Sequence, residues 1–427
     1  MKNAIRVAAA GATLALAGMS LAACSGSSGG GTSGSGGGGD TGPITYVQGK
    51  DTSGVVVILA DMWNKAHPKE KVTIKQQTDQ ADQQLQDLTQ HFQQKLSDYD
   101  VVSTDVVWTA EFAAKQYLQP LTGPYKLDTS AFLPSVVKTG QYNGVQYAAP
   151  SSTDSQLLYY RKDLLGSTPV PKTLEELFGT CSIAKKAGIG CYAGQYAKYE
   201  GLTVNFNEAI TSAGGTVVDA KGKPTLNTPE AQKGLQLIVD NFKNGNIPKA
   251  AVTYQEAQGL NAFETGKLLY LTNWPYMVGD IKSNAQAAGI RSKYAIAPYP
   301  GKSAVGGHNL AISAFSKHKK TALKFIQFME SPATEKILID KATLAPVRSS
   351  QYTDPSLTKA YPYLTTLKAS LDNAEARPIT PYYNGVTSAI QNNVFQALQS
   401  ASNGGSPDVK KVLDSTAQAI TAASQGG

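Results

Sequence analysis

The feature that most constrains folding is the run from Ser25 to Gly42, in which most residues are glycine or serine. Such a composition buries almost no apolar surface, so the run behaves as a flexible coil. About 385 residues follow it, and a chain of that length forms two lobes more readily than a single core. The run is therefore expected to tether a two-lobed body to whatever precedes it.

The segment before the tether has the features of a bacterial export signal. Lys2 and Arg6 precede an uncharged apolar run that is too short for a confident membrane span. This run ends in the letters LAAC at Cys24, which resembles the lipobox where signal peptidase cuts before a lipidated cysteine. We expect residues 1–23 to be removed as a lipoprotein signal peptide and residues 24–42 to form a lipidated tether, with acyl chains such as palmitate on Cys24. The alternative is an ordinary secretory signal with an unrelated thiol.

The charge pattern argues against nucleic acid as a partner. Removal of residues 1–23 takes away Lys2 and Arg6 and no acidic residue, so the net charge of +7 becomes +5. Basic residues are dense only at 185–186 and 317–320, and such short groups are typical of solvated helix ends. The mature protein is expected at the extracellular face of the cytoplasmic membrane, held there by its lipid.

Two further cysteines, Cys181 and Cys191, flank the short segment CSIAKKAGIGC. Because the space outside the membrane permits disulfides, we expect them to pair. In the loop-entropy account, this bond would stabilise the fold by roughly 2 to 3 kcal/mol. The alternative is a metal pair, but the histidines at 67, 91, 308 and 318 show no ligand spacing. The sequence therefore predicts no metal and no cofactor.

The first part of the body alternates extended and helical patterns. A strand is predicted over 45–48, a helix from Val55 to Ala66, a second helix from Leu85 to Leu96, and a buried strand in DVVSTDVVW, which ends at Trp108. The order strand, helix, helix, strand, helix predicts an α/β sheet with crossover connections. The apolar residues at helical spacing are Val55, Ile58, Leu59, Met62 and Trp63 in the first helix, and Leu85, Leu88, Phe92 and Leu96 in the second.

A second lobe is predicted to begin near Tyr147 to Pro150, and the chain continues through LLYYRKDLL as a strand that runs into a helix. Thr173 and Glu176 form a capping box that marks a helix start, and Pro332 suits the first turn of a later helix. The strand pattern from Tyr294 to Gly301 returns the chain to the first lobe. The predicted divisions are residues 43–152 and 300–350 for lobe 1, 153–299 for the first part of lobe 2, and 351–427 for the rest of lobe 2 with the hinge.

Aromatic residues with polar tips are abundant, since the chain has 21 tyrosines against 11 phenylalanines, while charged residues make up only 17%. A sugar presents a C–H face that packs on a ring and hydroxyl groups that need polar partners. Three clusters at the ends of predicted elements combine rings and polar groups, and ligands of open α/β sheets lie beyond the carboxyl ends of the strands. For each cluster, the alternative is a buried aromatic residue with a helix-capping acid. The clusters are Asp105, Trp108 and Glu111; Asp154 with residues 151–153; and Asn273, Trp274 and Tyr276.

Six segments, in this order, resemble the family 1 extracellular solute-binding proteins, and among these the trehalose- and maltose-binding proteins. This resemblance implies a two-lobed, hinged, type II periplasmic-binding-protein fold of the maltodextrin-binding kind. It further implies a monomer that is no enzyme and that delivers a carbohydrate, a di- or oligosaccharide, to an ABC import permease. The segments are DVVWTAEFAAKQYLQPL, YNGVQYAAPSSTDSQLLYYRKDLL, PKTLEELF, FETGKLLYLTNWPYMV, GGHNLAISAFSKHKKTALKFIQFMESP and ARPITPYYNGVTSAIQ.

The resemblance also implies roles for individual residues. Asp105 and Asp154 correspond to hydroxyl acceptors, Trp274 to the stacking platform with Tyr276 beside it, and Arg377 to a hydroxyl donor. Two further aromatic residues, Tyr382 and Tyr383, correspond to a wall of the site. One departure is His308, because the trehalose- and maltose-like members often have tryptophan there; a ligand contact and a structural role both stay open for this histidine.

Two other classes of protein compete with this interpretation. An anchored glycoside hydrolase also needs carboxylates near rings, and Asp105, Glu111 and Asp154 are its candidates. However, nothing in the sequence places two of them as a catalytic pair. A binding protein for a polyamine, a peptide or a metal would keep the same fold; acids and rings hold a polyamine well, but Arg377 would repel it.

Overall fold

The computed structural model describes residues 40–426. The predicted signal peptide, Cys24 and most of the predicted tether lie outside the described residues. The last residues of the predicted tether are bound to the body. The Asp40 carboxylate accepts a hydrogen bond from the Tyr125 hydroxyl at 2.7 Å, and the Gly42 amide donates to Thr321 Oγ1 at 3.1 Å. The tether therefore joins the body beside the helix that contains Thr321.

The strands and helices of the described residues alternate along most of the chain. Strands are β1 (Ile44–Gln48), β2 (Val72–Gln76), β3 (Val101–Asp105), β4 (Gln141–Tyr142), β5 (Val145–Gln146), β6 (Ala148–Ser155), β7 (Leu157–Arg161), β8 (Gly190–Ala193), β9 (Leu268–Asn273), β10 (Tyr294–Pro298) and β11 (Val305–Ile312). Helices are α1 (Val55–Ala66), α2 (Ala81–Gln93), α3 (Thr109–Ala114), α4 (Pro134–Thr139), α5 (Lys162–Leu165), α6 (Leu174–Gly179), α7 (Ser182–Ala187), α8 (Glu200–Ser212), α9 (Pro229–Lys243), α10 (Glu256–Glu264), α11 (Met277–Ser283), α12 (Lys319–Met329), α13 (Pro332–Ala342), α14 (Pro355–Ala360), α15 (Tyr363–Leu371), α16 (Tyr383–Ser402) and α17 (Val409–Gln425).

Two main sheets organise these elements. The first sheet has the strand order β2-β1-β3-β11-β6, with β1, β2 and β3 parallel and β11 antiparallel to both of its neighbours. The second sheet has the order β10-β7-β9-β8. Helices between the strands supply the crossovers that parallel strands require. The α/β class predicted from the sequence is confirmed.

The first sheet contains a strand that the sequence analysis missed. Residues Val72–Gln76 form β2, which pairs with β1 between the two predicted helices. It is an edge strand in which only Val72 is buried, so its apolar pattern is weak. The predicted order of helix followed by helix is therefore wrong, and the chain here follows the β-α-β-α-β pattern.

The buried faces of α1 and α2 differ from those that the apolar spacing predicted. In α1, the buried face is formed by Val55, Val56, Leu59, Ala60 and Trp63, whereas Ile58 and Met62 are 43% and 42% exposed. Leu96 lies beyond the end of α2 and is 41% exposed. Helical spacing identified both helices, but each has apolar side chains on more than one side, and only packing decides which side is buried.

The strand predicted to reach Trp108 ends at Asp105 instead. The Asp105 carboxylate accepts a hydrogen bond from the Val107 amide at 3.2 Å, which stabilises a turn in place of a continued strand. The turn leads directly into α3, with Trp108 at its N-cap. This turn places the Asp105 side chain at the carboxyl end of a central strand.

Other local predictions agree with the structure. The Thr173 hydroxyl accepts from the Glu176 amide at 3.1 Å and caps α6, as the capping box predicted. Helix α13 begins at Pro332. A disulfide joins Cys181, just before α7, to Cys191 in β8, with 5.2 Å between their Cα atoms.

The chain passes between the two sheets from β6 to β7 and from β10 to β11, and a third segment near Ser370 and Glu375 lies beside these connections. The Ser303 hydroxyl accepts from the Gln156 amide at 2.9 Å, and Ser303 O accepts from the Glu375 amide at 2.7 Å. The Ser370 hydroxyl donates to Gln156 O at 2.9 Å. Strand β6 runs to Ser155, a few residues past the predicted lobe boundary at 152; the lobe boundaries themselves stay a prediction.

Candidate functional site

Strand β11 brings the two predicted acids together, because it lies between β3 and β6. His308 is paired with Asp105 across one side of β11, and Gly306 is paired with Asp154 across the other. Gly307 has φ +115° and lies so close to β6 that a Cβ atom would be 2.2 Å from Ser152 O. The sequence GGH therefore allows β11 to bend at this point, between the two acids.

Trp274 reaches this region from the second sheet. Its amide donates to Asn273 Oδ1 at 2.8 Å, and its carbonyl accepts from the Tyr159 hydroxyl at 2.8 Å, so the backbone is fixed at the end of β9. The partly exposed indole ring lies over Gly306, where a Cβ atom would be 2.6 Å from Cζ3 of the ring and 3.3 Å from Asp154 Cβ. A ring from one sheet thus lies beside a carboxylate from the other.

The surroundings change the protonation of Asp154 and His308. Burial, together with the nearby charge of Asp105, raises the pKa of Asp154 to about 7. Burial also lowers the pKa of His308, and Arg377 acts in the same direction while Asp105 opposes it. His308 is nevertheless accessible to solvent, as expected for a side chain in a cleft. Its imidazole is therefore neutral at pH 7 and can both donate and accept a hydrogen bond.

Arg377 lies behind Asp105 and has little access to solvent. Its Nη2 donates to Asp105 Oδ1 at 2.8 Å, and its Nη1 donates to Glu200 Oε1 at 2.6 Å. The exposed fractions of these side chains are 2% for Arg377, 6% for Glu200 and 16% for Asp105. Asp105 is thus the member of this group that a ligand can reach most easily.

Trp108 and Glu111 are buried beneath the site. Trp108 is 2% exposed, belongs to an apolar cluster under the first sheet, and lies 6.4 Å from the Phe112 ring between centroids. The Glu111 carboxylate accepts from Lys115 Nζ at 2.6 Å and from the Asn384 amide at 2.8 Å. Both residues connect structural elements, and neither side chain presents a surface beside Asp154.

Three other predicted residues also have structural partners. The Asn273 side chain is buried and donates to Glu256 O at 3.1 Å, which ties β9 to α10. The Tyr382 hydroxyl donates to Gly222 O at 2.6 Å. Tyr383 is fully buried, and its hydroxyl donates to Glu200. Tyr276 differs from these three because it is partly exposed and lies near Asp154 and Glu256.

Three further side chains at the site were not predicted from the sequence. Glu256, at the start of α10, lies near Asp105, Tyr199 and the Trp274 ring, and burial raises its pKa. The Tyr199 hydroxyl is buried close to Glu256 without a well-formed hydrogen bond to any described residue. The Tyr363 hydroxyl, close enough to Asp154 for its charge to be felt, likewise has no partner among residues 40–426.

The sequence contained only one signal for these residues. Glu200 is an acid that opens α8, and nearly every residue of that helix is buried. A buried acid needs a partner, so this pattern could have indicated Glu200 and its neighbour Tyr199. Glu256 and Tyr363 occupy ordinary helix-start positions, which cannot be told from simple capping.

The assembled site offers one aromatic surface, several carboxylates and buried hydroxyl groups that lack protein partners. Among residues 40–426, no group of three or more histidine, cysteine or acidic side chains has the arrangement of a metal site. In the same range, no helix has the length and apolar character needed to span a bilayer. The arrangement suits a neutral molecule with one apolar face and many hydroxyl groups.

Comparison with known proteins agrees with this geometry. The family model of bacterial extracellular solute-binding proteins matches residues 46–336. A probable ABC transporter-binding protein of Deinococcus radiodurans is 32% identical over 369 residues, which are 81% of this chain and 86% of that protein.

Solved structures show the same architecture. Maltose-bound MalE3 of T. maritima has a TM-score of 0.81 at 31% identity, with 89% of this chain and 99% of that chain covered. An ABC transporter solute-binding protein of Agrobacterium radiobacter K84 in complex with ribitol has a TM-score of 0.78 at 25% identity, with 90% and 99% covered. The predicted two-lobed, type II binding-protein fold is thereby confirmed. The chain belongs to the family of bacterial extracellular solute-binding proteins.

Proposed function

We propose that this protein captures a carbohydrate outside the cell and delivers it to an ABC import permease. The observation that carries the proposal is the partly exposed Trp274 ring of the second sheet, which lies beside Asp154 of the first sheet. The relatives bind maltose in one case and ribitol in another. Both ligands are neutral and rich in hydroxyl groups, as the site requires.

The chemistry of a pyranose matches the two sides of the site. Its C–H face would pack on the Trp274 ring, and its hydroxyl edge would donate to Asp154 and to Oδ2 of Asp105. Oδ1 of Asp105 already accepts from Arg377 and from the Val107 amide, whereas Oδ2 is left for the ligand. The Tyr199 and Tyr363 hydroxyls can complete the set, because a buried hydroxyl without a partner costs about 1 to 3 kcal/mol.

A di- or oligosaccharide is the ligand size we favour. The acids and hydroxyls come both from Tyr199 and Glu256, which lie at the starts of α8 and α10, and from Tyr363 near Asp154, and a ligand with several hydroxyl groups can engage both sets. A thermal-shift screen across disaccharides, monosaccharides, polyols and polyamines tests this choice. We expect the largest rise in Tm with a disaccharide; a rise only with monosaccharides or polyols would contradict the size, and no rise with any carbohydrate would contradict the function.

A polyamine is the second candidate, because acids outnumber bases around the cleft. Asp105, Asp154 and Glu256 lie near one another, with Arg377 as their nearby cation. However, Asp105 is already paired with Arg377. The pKa of Asp154 is raised to about 7, so at neutral pH this carboxyl group carries only part of its negative charge and attracts a cation less strongly. Salt distinguishes the two ligands, since polyamine affinity should fall as ionic strength rises from 0.05 to 0.5 M while carbohydrate affinity should change little.

We further propose that Cys24 carries the lipid that holds the protein at the outer face of the membrane. Cys24→Ala should release the protein into the medium and leave ligand affinity unchanged, because Asp40 and Gly42 bind the body through Tyr125 and Thr321, neither of which belongs to the site. Cell fractionation followed by calorimetry on the released protein measures both effects. A variant that stays in the membrane fraction after a salt wash would contradict the lipidation.

We propose no catalytic role for the acids of the site. Glu111 is occupied by Lys115 and the Asn384 amide, and Asp105 is paired with Arg377, so neither is placed as the partner of Asp154 in a hydrolytic pair. An aryl-glycoside assay tests this directly. Turnover that Asp154→Asn abolishes would establish an enzyme and overturn the proposal.

A further inference from the structure

Arg377 is joined to carboxylates that come from both sheets. Asp105 ends β3 of the first sheet, and Glu200 opens α8, which packs in the apolar cluster around the second sheet. The guanidinium donates to both, at 2.8 Å to Asp105 and 2.6 Å to Glu200. With 2% of its side chain exposed, Arg377 has almost no surface left for a ligand, which differs from the donor role that the family resemblance implies.

Both carboxylate oxygens of Glu200 accept hydrogen bonds within the protein. Its Oε1 accepts from Arg377 and from the Tyr383 hydroxyl, and its Oε2 accepts from the Thr387 hydroxyl at 2.7 Å. Its own amide donates to Asp82 Oδ1 at 3.2 Å. A carboxylate satisfied in this way is held in one orientation, so it holds the guanidinium in one orientation as well.

We propose that Glu200 is a positioning residue of the binding site, which holds Arg377 between the two sheets and through Arg377 orients Asp105. Only the test of this role by ligand affinity rests on the proposed carbohydrate-binding function. A planar guanidinium with two fixed partners sets the direction of Asp105 Oδ1, and the Val107 amide fixes the same oxygen from the other side. Oδ2 is then left to face the ligand, while Asp105 and Glu200 together hold the buried guanidinium.

Glu200 and Arg377 act together as one bridge between the two sheets, so variants of these two residues should not act independently. Glu200→Gln keeps the shape of the side chain and removes its charge. Arg377→Lys keeps the charge but removes the planar guanidinium whose Nη1 and Nη2 donate to the two carboxylates, and it is less disruptive than a neutral replacement. A matched control is Glu335→Gln, because Glu335 is also buried, accepts from the Val347 amide, and lies 3.5 Å from Arg348 without contact to the site.

Two measurements on the full-length mature protein test the bridge. In ligand-free protein, solution scattering should give a larger radius of gyration for Glu200→Gln and for Arg377→Lys than for wild type or Glu335→Gln. In calorimetry with maltose, each variant should lose about tenfold in affinity, and the double variant should lose no more than Arg377→Lys alone. A purely structural role would lower Tm without producing this non-additive loss.

Scattering on ligand-free protein tests the bridge alone, whereas calorimetry also depends on the choice of ligand. An unchanged radius of gyration in both variants, or losses that add in the double variant, would overturn the role of Glu200. If wild type does not bind maltose, maltose is not the ligand, and the scattering measurement still decides the role of Glu200.

Discussion

Trp108 and Trp274 follow the carboxyl ends of strands in the two sheets, yet their surroundings are opposite. Trp108 is 2% exposed and packs with Phe112 under the first sheet. Trp274 is partly exposed and lies over Gly306 of the other sheet. In sequence, both are tryptophans that come soon after a polar strand-end residue and soon before a helix.

The difference lies in the turn that follows each strand. Asp105 bonds the Val107 amide, and Trp108 is itself the N-cap of α3, so its ring folds back against that helix. Trp274 is bonded to Asn273 and is followed by Pro275, and α11 begins only at Met277. Both connections are three residues long, but Trp108 is the last residue of its connection and Trp274 is the first. The second ring is therefore placed away from its own helix and toward the other sheet. Turn geometry, more than residue type, therefore decides which tryptophan is available to a ligand.

The largest expected effect is a loss of protein stability when Trp108 is replaced. Trp108→Ala should lower the free energy of unfolding by about 3 to 5 kcal/mol, because it leaves a cavity in a packed cluster. Urea denaturation measures this loss, and calorimetry on the folded protein should give the wild-type ligand affinity. A variant of normal stability with reduced affinity would place Trp108 in the site and break the comparison.

Trp274→Ala should have the converse effect. Loss of the stacking surface is expected to weaken carbohydrate binding by about 2 to 4 kcal/mol, the range of an interface hot spot. The free energy of unfolding should change far less than in Trp108→Ala. Trp274→Phe is the matched control, since it retains a smaller ring and should recover part of the affinity. Wild-type affinity in Trp274→Ala would show that this ring is structural and that the site lies elsewhere.

Gly306→Ala tests the surface on which the Trp274 ring lies. The backbone of Gly306 is outside the left-handed region, so alanine adds only a Cβ atom, which would meet the indole at 2.6 Å. Displacing the ring should weaken ligand binding, but by less than its complete removal in Trp274→Ala. Gly179→Ala is the control, because nothing lies within 4 Å of the added atom there.

The double variant of Gly306 and Trp274 makes this test more specific. Once the indole is gone, the added methyl group no longer meets the ring and lies 3.3 Å from Asp154 Cβ, so Gly306→Ala should have little further effect in the Trp274→Ala background. Equal losses in both backgrounds would mean that Gly306 acts through β6 or Asp154 and not through the ring.

The parts of this structure that sequence analysis predicted are those set by local patterns. Helical spacing located α1, and the Thr173 to Glu176 pattern located the start of α6. The apolar run DVVSTDVVW located β3, although the strand ends at Asp105 and not at Trp108. By contrast, β2 was missed because an edge strand with one buried residue has almost no period-two pattern.

The missed parts of the site depend on contacts between distant segments. Arg377 and Glu200 are separated by 177 residues in sequence, and nothing around either residue indicates the other. Likewise, the meeting of Trp274 with Gly306 depends on how the two sheets are placed, while each segment alone indicates only a turn and a strand. Residue types at strand ends could thus suggest a binding site, but the division into ligand contacts and supporting residues required the fold.

The smallest effect concerns pH, and it separates Asp154 from the Trp274 ring beside it. Burial and the charge of Asp105 raise the pKa of Asp154 from 3.8 to about 7. A sugar hydroxyl that donates to this group needs the carboxylate, so affinity should rise by up to about tenfold per unit between pH 5.5 and 7 and then level off. Stability has the opposite sign: the contribution of a raised pKa is complete below about pH 4 and is lost as pH rises through 7.

Calorimetry and thermal melts from pH 5.5 to 8 measure both trends. Asp154→Asn cannot titrate, so its affinity should be lower than wild type above pH 7 and should depend less steeply on pH. Glu200, whose pKa burial also raises to about 7, can supply the remaining dependence. Burial lowers the pKa of His308, which moves its titration toward the acidic end of this range. Trp274→Ala should bind weakly yet keep the pH dependence, since the ring carries no charge. A wild-type affinity that falls as pH rises would mean that Asp154 donates to the ligand as a neutral acid, and the assignment of acceptor and donor at this position would then be reversed.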